Sequence, residues 1–201
     1  YSNIYALLAS IRFVILTLSF EIFLSTIILF LIMISGSASI KIIVSQQSYL
    51  WNCVTYFPIF ICFLIASLIE TNRAPFDLAE AEGELVAGFN IEYSGVLFML
   101  FFLSEYLNIL FMSSLISVLF LGGYSELSLV KNVILIDSNE LQVTTFVIKT
   151  LLVSFSFIWI RSAYPRVRFD QILSFSWQNL FTFLFSFFLL SVSTKLFYNF
   201  L

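Results

Sequence analysis

The sequence predicts an all-α fold: a polytopic helical membrane protein with about five transmembrane helices, in a single membrane domain over residues 1–201. Three observations carry this. Apolar residues make up 61% of the 201 residues, whereas soluble domains hold roughly 45–50%. Mean hydropathy is +1.04. Apolar runs of about 20 residues recur, and at about 1.5 Å of rise per residue each covers the roughly 30 Å of a bilayer's hydrocarbon core. Strands are excluded for these runs, because a lone strand in lipid leaves its backbone donors and acceptors unpaired.

The runs fall at 11–34, 50–69, 94–121, 141–161 and 177–198. Pro58 lies inside the second, where its missing N–H predicts a kink, while Pro75 and Pro165 fall in connections. No internal repeat is visible, which argues against the duplicated architecture common in secondary transporters. Five spans put the N-terminus and the connections 70–93 and 162–176 on one side. Arg12, Arg73, Arg161, Arg166 and Arg168 share that side, and Lys41, Lys131 and Lys195 the other. The bias of basic residues toward the inner face then turns the arginine side, and with it the 70–93 connection, toward a matrix or cytoplasm.

Composition narrows the chemistry. The net charge of −3 offers no basic patch to collect phosphates, so no nucleic-acid partner is expected. Histidine is absent, which removes the usual haem and zinc ligand and the usual neutral-pH proton shuttle. Cys53 and Cys62 are the only cysteines. Two thiols cannot hold an iron–sulfur cluster, and on one helix they would stand about 13 Å apart, beyond disulfide reach. No metal site is expected, and proton chemistry falls to carboxylates and lysine.

Half of the 12 acidic residues crowd between the second and third runs: Glu70, Asp77, Glu80, Glu82, Glu84 and Glu92, against a single Arg73. Asp77 followed by Glu80 has the spacing of a helix cap and Gly88 offers a stop, which predicts a short helix over 77–87. Glu80 and Glu84 lie one turn apart and repel by roughly 0.2–0.5 kcal/mol, so the pair does not serve helix stability. A solvated acidic loop tolerated by the helix dipole is the plain alternative.

Glu21 and Glu105 fall about 13 and 16 Å into their helices, and Lys149 about 12 Å into the fourth, all near mid-membrane. A charge there costs about 2.5 kcal/mol or more unless it is paired or hydrated, so a functional role is the first reading. A hydrogen bond within the bundle, through Thr17 for Glu21 or Asn108 for Glu105, is the structural one. Arg166, Arg168 and Asp170 lie beside Tyr164 and Phe169 in the 162–176 connection. They either face the acidic loop or anchor helix ends at the interface.

The run Glu70-Thr71-Asn72-Arg73-Ala74-Pro75-Phe76-Asp77-Leu78, continuing through Ala79-Glu80-Ala81-Glu82-Gly83-Glu84 to Gly88-Phe89-Asn90-Ile91-Glu92-Tyr93, resembles the signature of the chain 1 family of NADH:ubiquinone oxidoreductase, respiratory complex I. Ser19-Phe20-Glu21, Ser104-Glu105-Tyr106-Leu107-Asn108, Tyr164-Pro165-Arg166 and Asp170-Gln171 extend the resemblance over essentially the whole chain. It implies a membrane subunit that helps form the ubiquinone chamber and couples quinone reduction to proton translocation, without being catalytic alone. It implies a proton path through Glu21, Glu70, Glu92 and Glu105, to which Lys149 is added on its mid-membrane position. It further implies a quinone-chamber loop with Arg73, Asp77, Glu80, Glu82, Glu84 and Phe89, and docking of the peripheral arm by Arg166, Arg168 and Asp170.

The same resemblance implies that this chain binds no cofactor of its own: ubiquinone is the substrate of the complex, and NADH, flavin and iron–sulfur clusters belong to partner subunits. The implied partners are the other membrane and peripheral-arm subunits and the lipid of the mitochondrial inner membrane, with a bacterial plasma membrane as the alternative and the acidic loop facing the matrix. Ala81 and Gly83 stand where the family more usually has glycine and serine. The family also carries three helices before this stretch, including a basic, tyrosine-containing segment that shapes the quinone tunnel. A separate N-terminal polypeptide, or a preceding stretch of the same chain, is therefore expected. Three rivals remain: the equivalent subunit of a membrane-bound hydrogenase-type complex, separable by its co-purifying subunits; a carboxylate-gated ion transporter, separable by flux without a redox partner; and a purely structural scaffold, which predicts intact turnover when the loop acids are replaced.

Overall fold

The computed structural model describes residues 4–73, 75–76, 95–125, 138–165 and 167–200. Among them every regular element is helical. In chain order these are α1 Ile4–Ser35, α2 Ile40–Gln46, α3 Asn52–Thr55, α4 Phe57–Glu70, α5 Val96–Phe120, α6 Ser138–Ala163, α7 Phe169–Ser174, an uninterrupted π-helical stretch Phe175–Phe181, and α8 Thr182–Phe200. Four stretches are long and apolar enough to cross a membrane: Ser10–Ser35, Val96–Phe120, Gln142–Ala163 and Phe169–Phe197. The protein is a polytopic helical membrane protein.

Where one helix is expected over 50–69, the backbone breaks at Tyr56 (φ −119, ψ 46), giving α3 and α4. Pro58 falls in the first turn of α4, where its missing N–H removes no helical bond, so the expected kink is a break just upstream instead. At 14 residues α4 rises about 21 Å, short of the roughly 30 Å hydrocarbon core. The described chain therefore holds four spans and one helix of partial depth. The last span also begins at Phe169 rather than near 177, because Asp170 suits the positive end of a helix and Ile172 is buried in the core.

The centre of the bundle is aromatic. Phe20, Phe23, Ile27, Phe30 and Leu31 of α1 are buried. Phe23 meets Phe181 of the π stretch edge-on at 5.9 Å, and Phe30 meets Tyr56 at 5.4 Å. At the close of α5, Phe120 packs on Phe60 and Phe63 of α4 at 5.5 and 5.3 Å. The start of α4 is thus level with the ends of α1 and α5. Midway along α5, Asn108 donates through Nδ2 to the Glu70 carbonyl at 3.4 Å. The end of α4 is therefore level with the middle of α5.

The C-terminal end of α5 is closed by side chains from elsewhere. Gln47 is fully buried and donates through Nε2 to the carbonyls of Ile43, Val118 and Leu119 at 3.3, 3.3 and 3.1 Å. Its Oε1 accepts from the Asn52 N–H at 3.4 Å, and Asn52 Nδ2 donates to the Leu119 carbonyl at 3.0 Å. These bonds satisfy carbonyls that a helix end otherwise leaves open.

The chain leaves α5 through Gly122 (φ 73) and Gly123 (φ 52). A Cβ on Gly122 would stand 2.7 Å from Ser125 Oγ and 3.2 Å from Trp51 Cδ1. We expect Gly122→Ala to lose about 1–2 kcal/mol from the left-handed conformation alone, before any clash. A lower thermal unfolding midpoint of the detergent-solubilised protein is the readout, and an unshifted midpoint contradicts this turn.

Candidate functional site

The candidate site grows from the way α4 stops. The Arg73 N–H reaches back to the Leu68 carbonyl at 3.5 Å and the Asn72 N–H to the Ile69 carbonyl at 3.1 Å. This is the paired bonding of a Schellman ending, with Asn72 (φ 49) in the left-handed position that asparagine tolerates better than most residues. Pro75 follows, and its carbonyl accepts from the Val167 N–H at 3.1 Å. The first residues of the acidic connection are therefore tied by backbone to the connection between α6 and α7.

That turn carries Arg73 to α5, where its Cζ stands 4.6 Å from the centre of the Tyr106 ring, within cation–π range. Nε and Nη2 of Arg73 and Oε2 of Glu70 are buried and have no hydrogen-bond partner among the described residues. Native proteins satisfy nearly all such atoms, so donors and an acceptor left over together mark a place built to hold water or a polar ligand. Glu21, on α1, is close enough for its charge to repel that of Glu70. Glu21 itself is exposed on the outside of this chain, and Glu105 is half-buried, adjacent to Tyr106 and one turn before Asn108.

The structure thus brings Glu21, Glu70 and Arg73 together with Tyr106 and Asn108. The partners offered by the structural reading are engaged elsewhere: the Thr17 hydroxyl donates to the Val14 carbonyl at 3.2 Å, and the Asn108 amide to Glu70, as above. Lys149 stands apart. Its Nζ donates to the carbonyls of Leu121, Gly123 and Ser125 at 2.8, 3.0 and 2.9 Å, at the far end of α5. Arg168 and Asp170 lie 3.9 Å apart with side chains 77% and 80% exposed, a pairing worth little by itself. Asp77, Glu80, Glu82, Glu84, Phe89, Glu92, Arg166 and the helix expected over 77–87 lie outside the described residues.

In the sequence Asn72 and Tyr106 have no role of their own, and Asn108 is offered only as a partner for Glu105. Asn72 followed by Pro75 is a readable helix stop. Tyr106 carries no such signal, and the partner of Asn108 could not be foreseen, since only the packing of α5 on the end of α4 supplies the Arg73 and Glu70 contacts. On the other flank of α4, a cavity of about 480 Å³ is lined by Ile65, Ile69, Phe76, Gln171, Ile172 and Gln178, among others. Its wall is apolar with side-chain amides set into it. Burial pushes the Cys53 thiol above its usual range, which keeps it protonated and a poor nucleophile.

Known proteins resemble this chain over most of its length. The family profile described as NADH dehydrogenase matches residues 1–192. NADH-ubiquinone oxidoreductase chain 1 of Phyllostomus elongatus is 45% identical over 175 residues, covering 87% of this chain and 52% of that protein. The chains of the same name from Diaemus youngi and Ornithorhynchus anatinus are each 43% identical over the same shares. The chain spans about half the length of the curated relatives it matches. A profile match over nearly all of the residues, on a bundle whose helices are built to lie in lipid, settles the lineage: the chain belongs to the NADH dehydrogenase family.

Proposed function

We propose that this chain forms part of the membrane subunit of respiratory complex I in the mitochondrial inner membrane, helping to wall the ubiquinone chamber and to couple quinone reduction to proton translocation. The flavin and iron–sulfur clusters that carry electrons from NADH belong to partner subunits of the peripheral arm, and the acidic connection faces the matrix. The observation that supports this reading best is the unsatisfied set at the end of α4: the Glu70 carboxylate and Arg73 guanidinium, buried beside Glu21 and Tyr106.

The chemistry follows from charge. Ubiquinone takes up two electrons and two protons, and as it gains electrons it becomes a stronger base. A proton withdrawn from or delivered to Glu70 changes the field at Glu21, and in a medium of low dielectric the change is felt strongly. Glu21, Glu70 and Glu105 then pass a charge shift onward, joined by Glu92 and by Asp77, Glu80, Glu82 and Glu84 of the connection. Arg73 and Phe89 belong to the chamber loop, while Arg166, Arg168 and Asp170 meet the peripheral arm.

Infrared difference spectra of the assembled enzyme, recorded across quinone reduction, test this. Glu70→Gln is expected to remove a redox-responsive carboxyl band while leaving the subunit in the membrane. An unchanged spectrum in the variant sinks the reading.

A further inference from the structure

We propose that Lys149 is a permanently charged cap that fixes the far end of α5, a positioning residue for the carboxylates that helix carries and not a stop on a proton path. Counting donors distinguishes the two protonation states. An ammonium has three N–H groups and a neutral amine two. Lys149 Nζ meets three carbonyl oxygens, those of Leu121, Gly123 and Ser125, at 2.8, 3.0 and 2.9 Å. Loss of its proton therefore leaves at least one of these carbonyls without its donor, so the geometry itself holds the proton on.

The surroundings reinforce the charged form. The three carbonyls follow the last turn of α5, where the helix dipole presents negative partial charge. The Trp51 ring lies 4.9 Å from Nζ, a cation–π contact. Gly122 has no side chain to keep Trp51 away, since a Cβ there would stand 3.2 Å from the indole. Beside this, Gln47 and Asn52 take the carbonyls of Val118 and Leu119. Five of the eight carbonyls from Val118 to Ser125 are thus held by side chains from the α2–α3 region and from α6.

Position completes the case. The Lys149 ammonium is level with the turn that follows Phe120, whereas Glu105 and Tyr106 lie in the first half of α5 and Asn108 at its middle. That first half is largely exposed within this chain, with Leu103, Tyr106 and Leu107 each more than half open. The cap therefore sets the register and tilt of α5 from the opposite end to its acidic residue. Its consequence for turnover rests on the functional reading above; the cap itself does not.

The experiment uses the assembled complex in membranes, with two readouts: deuterium exchange at the amides of residues 121–125 in the resting enzyme, and protons translocated per electron during NADH oxidation. Charged hydrogen bonds of this kind are worth enough that losing them is expected to speed exchange about tenfold in Lys149→Met. Lys149→Arg keeps a cation and its donors but cannot give up a proton. It is expected to restore slow exchange and an undiminished proton-to-electron ratio. Gln47→Leu, which opens the neighbouring cap without touching Lys149, should speed exchange at the same end. Should Lys149→Met fail to accumulate, Lys149→Gln is read in its place with the same expectation.

Two results overturn the proposal: exchange at 121–125 that stays slow without the lysine, or a Lys149→Arg enzyme that reduces quinone but no longer moves protons. Failure of the exchange result removes the cap alone, while an unaltered carboxyl band in Glu70→Gln removes the functional reading alone.

Discussion

Glutamine at positions 21 and 105 together is expected to lower NADH-driven proton translocation by about 10²-fold or more, the scale on which enzymes lose rate when a positioned proton donor or acceptor is removed. Each glutamine keeps nearly the size and the hydrogen-bonding reach of the glutamate, so the packing around half-buried Glu105 and exposed Glu21 is preserved. What disappears is the ability to carry a proton. Reconstituted vesicles with a trapped pH dye give the readout, alongside NADH oxidation in the presence of an uncoupler. Normal acidification by the double variant would show that these carboxylates are structural, however costly their placement in lipid.

The second large effect is expected at Arg73. Its buried Nε and Nη2 and its stacking on Tyr106 at 4.6 Å combine a held positive charge with unused donors next to Glu70. Arg73→Met removes both and should lower ubiquinone reduction by about 10- to 100-fold, since charge-assisted bonds contribute roughly 1.5–3 kcal/mol each. Arg73→Lys should recover little, because a lysine offers neither the planar fork nor the same stacking on a ring. Tyr106→Phe keeps the aromatic face and should stay near full rate, whereas Tyr106→Leu should lose the roughly 0.5–2 kcal/mol of the cation–π contact. Steady-state kinetics with a short-tailed quinone separate these four. A near-normal rate in Arg73→Met would take the guanidinium out of the chemistry.

The helical membrane class was legible because apolar runs of bilayer length have a single backbone solution in lipid. Their exact division was less so. Hydropathy alone cannot distinguish a 20-residue span from a short helix preceded by a break, and the decisive residue, Tyr56, is unremarkable in composition. Pro58 was noticed, but its effect depends on whether it falls inside a helix or in its first turn. Glu21, Glu70 and Glu105 were visible as carboxylates in an apolar setting. Their company was not: the Asn72 turn, Tyr106 and Asn108 acquire meaning only when α5 lies against the end of α4. Lys149 was legible as an intramembrane ionisable group, but its carbonyl partners were not. Counting residues along a helix locates a Cα, whereas a long flexible side chain delivers its charge elsewhere, in this instance to the closing turn of a neighbouring helix.

The short reach of α4 has a bearing on voltage. Because that helix rises only about 21 Å and its end is level with the middle of α5, Glu70 and Thr71 stand part-way along the long spans instead of at their ends. An electric potential across the membrane then falls over the remaining insulating layer instead of the whole slab. At roughly 2.3 kcal/mol per elementary charge per 100 mV, a proton taken up at Glu70 under the proposed reading would feel a steeper local gradient than one crossing the whole slab.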